Sequence, residues 1–123
     1  MARKLILIVE DDAAERQVLQ LRLRSHYDVM ASGDTITALG EARKHPPDLI
    51  ILDLGLPGGG GIAFMERLHA LPRLSGTPVI VVSAHARATA EPEALKAGAT
   101  AYFQKPADPD ALMAVISDVL GEG

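Results

Sequence analysis

Four places in the chain put a chemically active side chain where an apolar run stops. Leu5-Ile6-Leu7-Ile8-Val9 runs into Glu10-Asp11-Asp12, and Leu49 to Leu52 runs into Asp53. Val79 to Val82 ends in Ser83, and the weaker run Ala101-Tyr102-Phe103 leads to Lys105 and Pro106. Neighbouring carboxylates repel: two of them about 5 Å apart cost roughly 3 kcal/mol at an effective dielectric of about 20. The acids must therefore be solvated or have a cation among them. Hard oxygen donors with few neutralising groups suit Mg²⁺, which takes one or two carboxylates and keeps several waters. With Lys105 as a second positive charge, such a rim makes half of a phosphoryl-transfer centre. Metal and ammonium neutralise phosphoryl oxygens, the Ser83 hydroxyl donates to another, and a carboxylate attacks phosphorus. Singly, each residue has an ordinary structural use. Acids after a strand cap the next helix, a lone serine caps a turn, and a lone lysine is a solvated charge. The joint placement at four run ends carries the chemical reading.

The elements that must hold these residues are legible in the apolar pattern. The first three runs are continuous rather than alternating, as strands buried on both faces of a parallel sheet are. Tyr27 to Met30 is a less apolar strand candidate and belongs at an edge. Between the strands lie helical spacings. They are Ala14, Val18 and Leu21; Ala38, Leu39 and Ala42 after a cap at Asp34 or Ser32; Phe64, Leu68 and Leu71; Leu95 in a short segment closed by Gly98; and Leu112, Val115, Ile116, Val119 and Leu120. The last helix has Asp108 as cap, Pro109 at its first position and Gly121 past its end. Strand and helix alternate five times, which predicts an α/β flavodoxin-like fold: a doubly wound five-stranded parallel sheet, order 2-1-3-4-5, with five helices. In that order strands 1 and 3 are neighbours, so Asp11 and Asp53 face each other at the switch point, with Ser83 and Lys105 flanking them. The run Gly58 to Gly61 reads as a loop between strand 3 and helix 3.

Composition narrows the class. The chain has 123 residues, 48% of them hydrophobic, which predicts a single domain over residues 1–123. Only 3% are aromatic, so the core is aliphatic. Twelve basic and 16 acidic residues leave a net charge of −4 with no basic run, an argument against nucleic acid as a direct partner. The absence of cysteine excludes disulfides and thiolate metal sites. The N-terminal apolar run is too short for a signal-peptide core or a membrane span, so the expectation is a cytoplasmic protein with no membrane partner.

The stretches LILIVEDD, PDLIILDLGLPGGGG, PVIVVSA and KAGATAYFQKP together resemble the receiver domain of two-component response regulators, the CheY-like superfamily. Their spacing agrees: 30 residues from Asp53 to Ser83 and 22 from Ser83 to Lys105. The resemblance implies that Asp53 is the phosphoacceptor, taking its phosphoryl group from a sensor histidine kinase or a phosphotransfer protein. It implies Mg²⁺ held by Asp11, Asp53 and the backbone carbonyl of Gly55, with Glu10 acting through water. Ser83 and Lys105 contact phosphoryl oxygens, and the Lys105–Pro106 peptide is cis. Tyr102 takes the place of the switch aromatic. Phosphorylation then draws Ser83 inward, Tyr102 turns into the vacated space, and the face of helix 4, strand 5 and helix 5 changes for a downstream protein or effector domain. The protein is on this reading no enzyme toward outside substrates; it only phosphorylates and dephosphorylates itself.

Some residues depart from that pattern. Gly55 carries no side chain where many receivers have a larger one, which exposes the phosphoryl group to water. His85 lies two residues after Ser83, at the same rim. Ala107 replaces a common phenylalanine. Pro92 falls where helix 4 runs, which predicts a short helix starting near Glu91 to Glu93 after a loose segment, Ala84 to Ala90. The competing functions are an aspartate-nucleophile phosphatase or hydrolase and a flavin-binding module. The first needs its nucleophile after strand 1 with a second acid two residues on; the second fits poorly with acids and few aromatics at the switch point.

Overall fold

Side chains along Leu5–Val9 (β1) alternate between two buried faces, which is why the run shows no polar alternation. Ile6 and Ile8 enter one core cluster, while Leu7 and Val9 enter the other. The computed structural model describes residues 3–56 and 60–122. The order continues with α1 (Ala13–Leu23), β2 (Asp28–Ser32), α2 (Thr35–Lys44), β3 (Leu49–Leu52), α3 (Gly60–Ala70), a 3₁₀ turn (Pro72–Leu74), β4 (Val79–Ser83), α4 (Arg87–Lys96), β5 (Ala101–Gln104) and α5 (Pro109–Val119). The sheet is parallel throughout, in the order β2-β1-β3-β4-β5. This is the expected flavodoxin-like arrangement. One face packs Leu7, Ile50, Leu52, Val79 and Val81 against Ala38, Phe64, Leu68 and Ala94 of α2, α3 and α4. The other packs Ile6, Ile8, Ile51 and Ile80 against Leu23 of α1 and Leu112 and Ile116 of α5.

Caps follow the sequence closely. Asp12, Asp34 and Asp108 each accept a hydrogen bond from the backbone N–H three residues on and so begin α1, α2 and α5. Ser32, the other candidate for α2, is buried instead. The Lys105–Pro106 peptide is cis.

Three expectations need correction. The spacing Ala14, Val18, Leu21 does not mark the buried face of α1: Val18 and Leu21 are 49% and 50% exposed. The helix docks through Leu19 and Leu23 instead. A short helix offers more than one apolar stripe, and packing against the sheet selects between them. Helix α4 is not delayed to Glu91 but begins at Arg87 and carries Pro92 inside. Proline removes the hydrogen bond to the Ala88 carbonyl. Both residues are exposed, so water supplies the donor that the Ala88 carbonyl has lost. Arg87 fixes the first turn: its N–H donates to Gln104 Oε1 at 3.1 Å, and its guanidinium donates to the Tyr102 carbonyl at 3.1 Å. Finally, Gly60 and Gly61 belong to α3 rather than to a loop, while Gly58 and Gly59 lie outside the described residues.

Candidate functional site

The sheet ladder runs one residue beyond the strands, and that extension positions the site. Asp53 N–H donates to the Val9 carbonyl at 3.0 Å, Glu10 N–H to the Ser32 carbonyl at 3.0 Å, and Lys105 N–H to the Ser83 carbonyl at 2.8 Å. The residues that end the apolar runs are thus held in register with their neighbours. Gly61 adds a constraint from the side. A Cβ there would lie 2.8 Å from Leu54 Cα and 2.9 Å from the Asp53 carbonyl oxygen, so only glycine lets α3 lie against this segment.

The three acids after β1 have three different fates. Asp12 caps α1 through Glu15 N–H at 2.9 Å. Asp11 is exposed at the rim. Glu10 is buried, and its carboxylate accepts from Asp12 N–H at 3.1 Å and from Lys105 Nζ at 2.7 Å. Glu10, Asp11 and Asp53 each offer a carboxylate oxygen, and these oxygens lie within 4.8 Å of one another. Lys105 Nζ stands 3.5 Å from Asp53 Oδ2, and Gly55 N–H donates to Asp53 Oδ1 at 3.3 Å. An all-oxygen, strongly negative donor set beside a single lysine fits Mg²⁺, a hard cation that completes its shell with water. Burial pushes the Glu10 carboxyl above its usual range; the hydrogen bond from Lys105 pulls the other way, and the charge of Asp53 adds to the rise. Burial alone would lower Lys105, but hydrogen bonds to Glu10 and Glu15 and the charge of Asp53 outweigh it and hold the ammonium above its usual value.

Ser83, His85 and Tyr102 form a second group, linked to each other rather than to the acids. Ser83 is fully buried, shares a 2.8 Å hydrogen bond with His85 Nδ1, and accepts from His85 N–H at 3.2 Å. Tyr102 is buried, and its hydroxyl donates to the His85 carbonyl at 2.6 Å. Gly55 joins the two groups. Its backbone bonds Asp53, and a Cβ on it would meet His85 Cε1 at 3.6 Å. The acids open into a cleft of about 960 Å³ that continues between α1 and α5 past Val18 and Leu112.

Two participants were not singled out in the sequence. Arg16 donates to the Glu10 carbonyl at 2.8 Å, and Glu15 pairs with Lys105 at 3.1 Å. The Asp12-x-x-Glu15 spacing resembles a capping box, in which the glutamate would reach back to the cap N–H. That N–H is already bonded to Glu10, so Glu15 is free to turn to Lys105. The hydrolase arrangement finds no support here, because the acid two residues after Glu10 is occupied as a helix cap.

A family model for the response regulator receiver domain matches residues 6–117. The KDP operon transcriptional regulatory protein KdpE of Escherichia coli is 43% identical over 102 residues, 82% of this chain and 44% of that protein. The chain thus spans about half the length of the curated relatives it matches. Among solved structures, a CheY-like response regulator receiver domain protein from Methanospirillum hungatei superposes with a TM-score of 0.90 at 30% identity, covering 98% of this chain and 96% of that one. The receiver domain of a Pseudomonas aeruginosa sensor histidine kinase, solved with a magnesium ion coordinated in its active-site cleft, gives 0.89 at 29% identity, covering 98% and 99%. Among the described residues no helix is long and apolar enough to cross a membrane.

Proposed function

The chain belongs to the response regulator receiver domain family of two-component signalling, and from that premise we propose that Asp53 is its phosphoacceptor and residues 1–123 a single receiver domain. The observation that carries this reading is the setting of the Asp53 carboxylate. It lies at the carboxyl end of a central strand, 3.5 Å from Lys105 Nζ, with the carboxylates of Glu10 and Asp11 alongside. Asp53 caps no helix among the described elements; its oxygens accept only long contacts, from Gly55 N–H at 3.3 Å and Lys105 Nζ at 3.5 Å, which leaves lone pairs for bonding to phosphorus.

In the transfer, a bond forms from an Asp53 carboxylate oxygen to phosphorus. The bond from phosphorus to the imidazole nitrogen of a sensor kinase or phosphotransfer protein breaks, and the electron pair stays on that nitrogen. Lys105 holds a phosphoryl oxygen. Ser83 turns its hydroxyl from His85 toward another. Asp11, Asp53 and the Gly55 carbonyl would hold Mg²⁺, with Glu10 acting through water, and the bound ion would supply positive charge to the phosphoryl oxygens. The protein modifies only itself and turns over no outside metabolite.

The readout runs through Ser83, His85 and Tyr102. Tyr102 is buried with its hydroxyl on the His85 carbonyl, and His85 in turn holds Ser83, so a movement of Ser83 toward the phosphoryl group reaches Tyr102 through His85. Phosphorylation on this reading shifts the population between two arrangements. The face of α4, β5 and α5 carries the signal to a downstream protein or effector domain in the cytoplasm. A net charge of −4 argues against direct nucleic-acid contact by these residues. The test is incubation with acetyl phosphate and Mg²⁺ followed by intact mass. Wild type gains one phosphoryl group and Asp53→Asn gains none; equal gain in both overturns the assignment.

A further inference from the structure

An ammonium has three N–H donors and accepts nothing. Three carboxylates surround Lys105 Nζ: it donates to Glu10 Oε1 at 2.7 Å and to Asp53 Oδ2 at 3.5 Å, and Glu15 Oε1 lies at ion-pair distance, 3.1 Å. A phosphoryl oxygen on Asp53 competes with these acids for the same ammonium. Glu10 is the least able to go, since its side chain is 5% exposed and it also accepts from Asp12 N–H. Asp53 is the phosphoacceptor itself and moves with the group. Glu15 is different. Its side chain is 48% exposed on the first turn of α1, where water takes over its charge as soon as it swings out. Its backbone N–H stays bonded to Asp12, so the turn does not move with the side chain.

We propose that Glu15 is a positioning residue that holds Lys105 in the unphosphorylated protein and competes with the phosphoryl group for it, setting how far the domain charges at a given supply of phosphodonor. The proposal rests on Asp53 as phosphoacceptor. Lys105 keeps its proton throughout and exchanges only its hydrogen-bond partner. When acetyl phosphate is the donor, acetate leaves with the electron pair of the broken P–O bond as the bond from Asp53 to phosphorus forms.

The experiment compares wild type, Glu15→Gln and Glu15→Asp. Glutamine removes the charge. Aspartate keeps the charge but is one methylene too short to reach Lys105. The probe is fluoroberyllate, a phosphoryl mimic, titrated in Mg²⁺. Glu15→Gln is expected to bind it about two- to fivefold more tightly, which corresponds to about 0.4–1 kcal/mol of exposed ion pairing. The gain shrinks in about 1 M salt. Glu15→Asp is expected to show more than half of the gain in logarithmic terms. A gain confined to Glu15→Gln would be a general charge effect and overturns the proposal, as does no gain in either variant. A second readout needs no metal: the Lys105 Nζ hydrogens, followed by nitrogen-15 NMR, are expected to exchange faster in both variants than in wild type, and equal exchange again overturns it. The parent reading is separated by its own control. If wild type takes no phosphoryl group from acetyl phosphate, or Asp53→Asn takes one, both readings fall. If only the Glu15 variants are silent, the competition alone does.

Discussion

Replacing Gly61 by alanine tests whether helix α3 holds Asp53 in place. The added Cβ would lie 2.8 Å from Leu54 Cα and 2.9 Å from the Asp53 carbonyl oxygen, both backbone atoms that cannot rotate away. An ordinary contact needs about half an ångström more, so either α3 or the segment after β3 must move. Overpacking of this kind costs about 1–3 kcal/mol, and alanine's helix propensity returns at most about 1 kcal/mol. A net loss of up to about 2 kcal/mol is expected, read as a lower urea midpoint at unchanged slope. The same movement stretches the 2.9 Å bond from Gly61 N–H to the Leu54 carbonyl and shifts Asp53 relative to Lys105. Since misplacing reacting groups by about 1 Å can cost about a hundredfold, the rate of phosphorylation by acetyl phosphate should fall about tenfold. The matched control is Gly40→Ala in α2, where a Cβ meets nothing within 4 Å. It should gain about 0.5–1 kcal/mol and phosphorylate at the wild-type rate. Gly61→Ala matching Gly40→Ala in stability would refute the steric reasoning. Lower stability with an unchanged rate would separate the contact from the placement of Asp53.

Further outcomes follow from other contacts. Burial, reinforced by the hydrogen bond to Glu122, pushes the Tyr27 phenol up from 10.0 to about 12. Folding favours its neutral form, so this stabilisation is fully present below pH 10 and is lost as pH rises through about 12. The loss should reach about 2–3 kcal/mol and be absent in Tyr27→Phe, as urea titrations across that range would reveal. Lys105→Met leaves Glu10 buried beside Asp53 with no cation. Stability at neutral pH should drop by about 1–3 kcal/mol and recover as the solution is acidified; a flat profile would mean water already screens the pair. Gly55→Met should pack against His85 and shield the phosphoryl group, lengthening its lifetime about two- to tenfold, or up to about 1.4 kcal/mol in the barrier. His85→Ala should change the lifetime through the loss of its bond to Ser83. Half-lives equal to wild type by intact mass would discard both roles.

The sequence by itself determined the fold and named most of the residues that gather at one end of the sheet. Strand runs such as Leu49 to Leu52 are continuous because both faces of the sheet are covered. The helix caps Asp12, Asp34 and Asp108 act within one turn of chain, so local reading finds them. The proximity of Asp53 and Lys105 was legible because parallel strands bring their carboxyl ends to one rim, whereas Ser83, at the end of β4, is buried in hydrogen bonds to His85 instead. Tertiary structure decided what depends on neighbours far along the chain. Leu19 and Leu23 rather than Val18 and Leu21 face the sheet, because α1 must fit beside α5. Helix α4 survives Pro92 because Arg87 is held by Gln104 and Tyr102, which come from another strand. Glu15 joins the site because Lys105, 90 residues further on, arrives within 3.1 Å of it. Periodicity and caps are properties of a few consecutive residues; which of several carboxylates a buried cation holds is settled only when the whole sheet has brought them within reach.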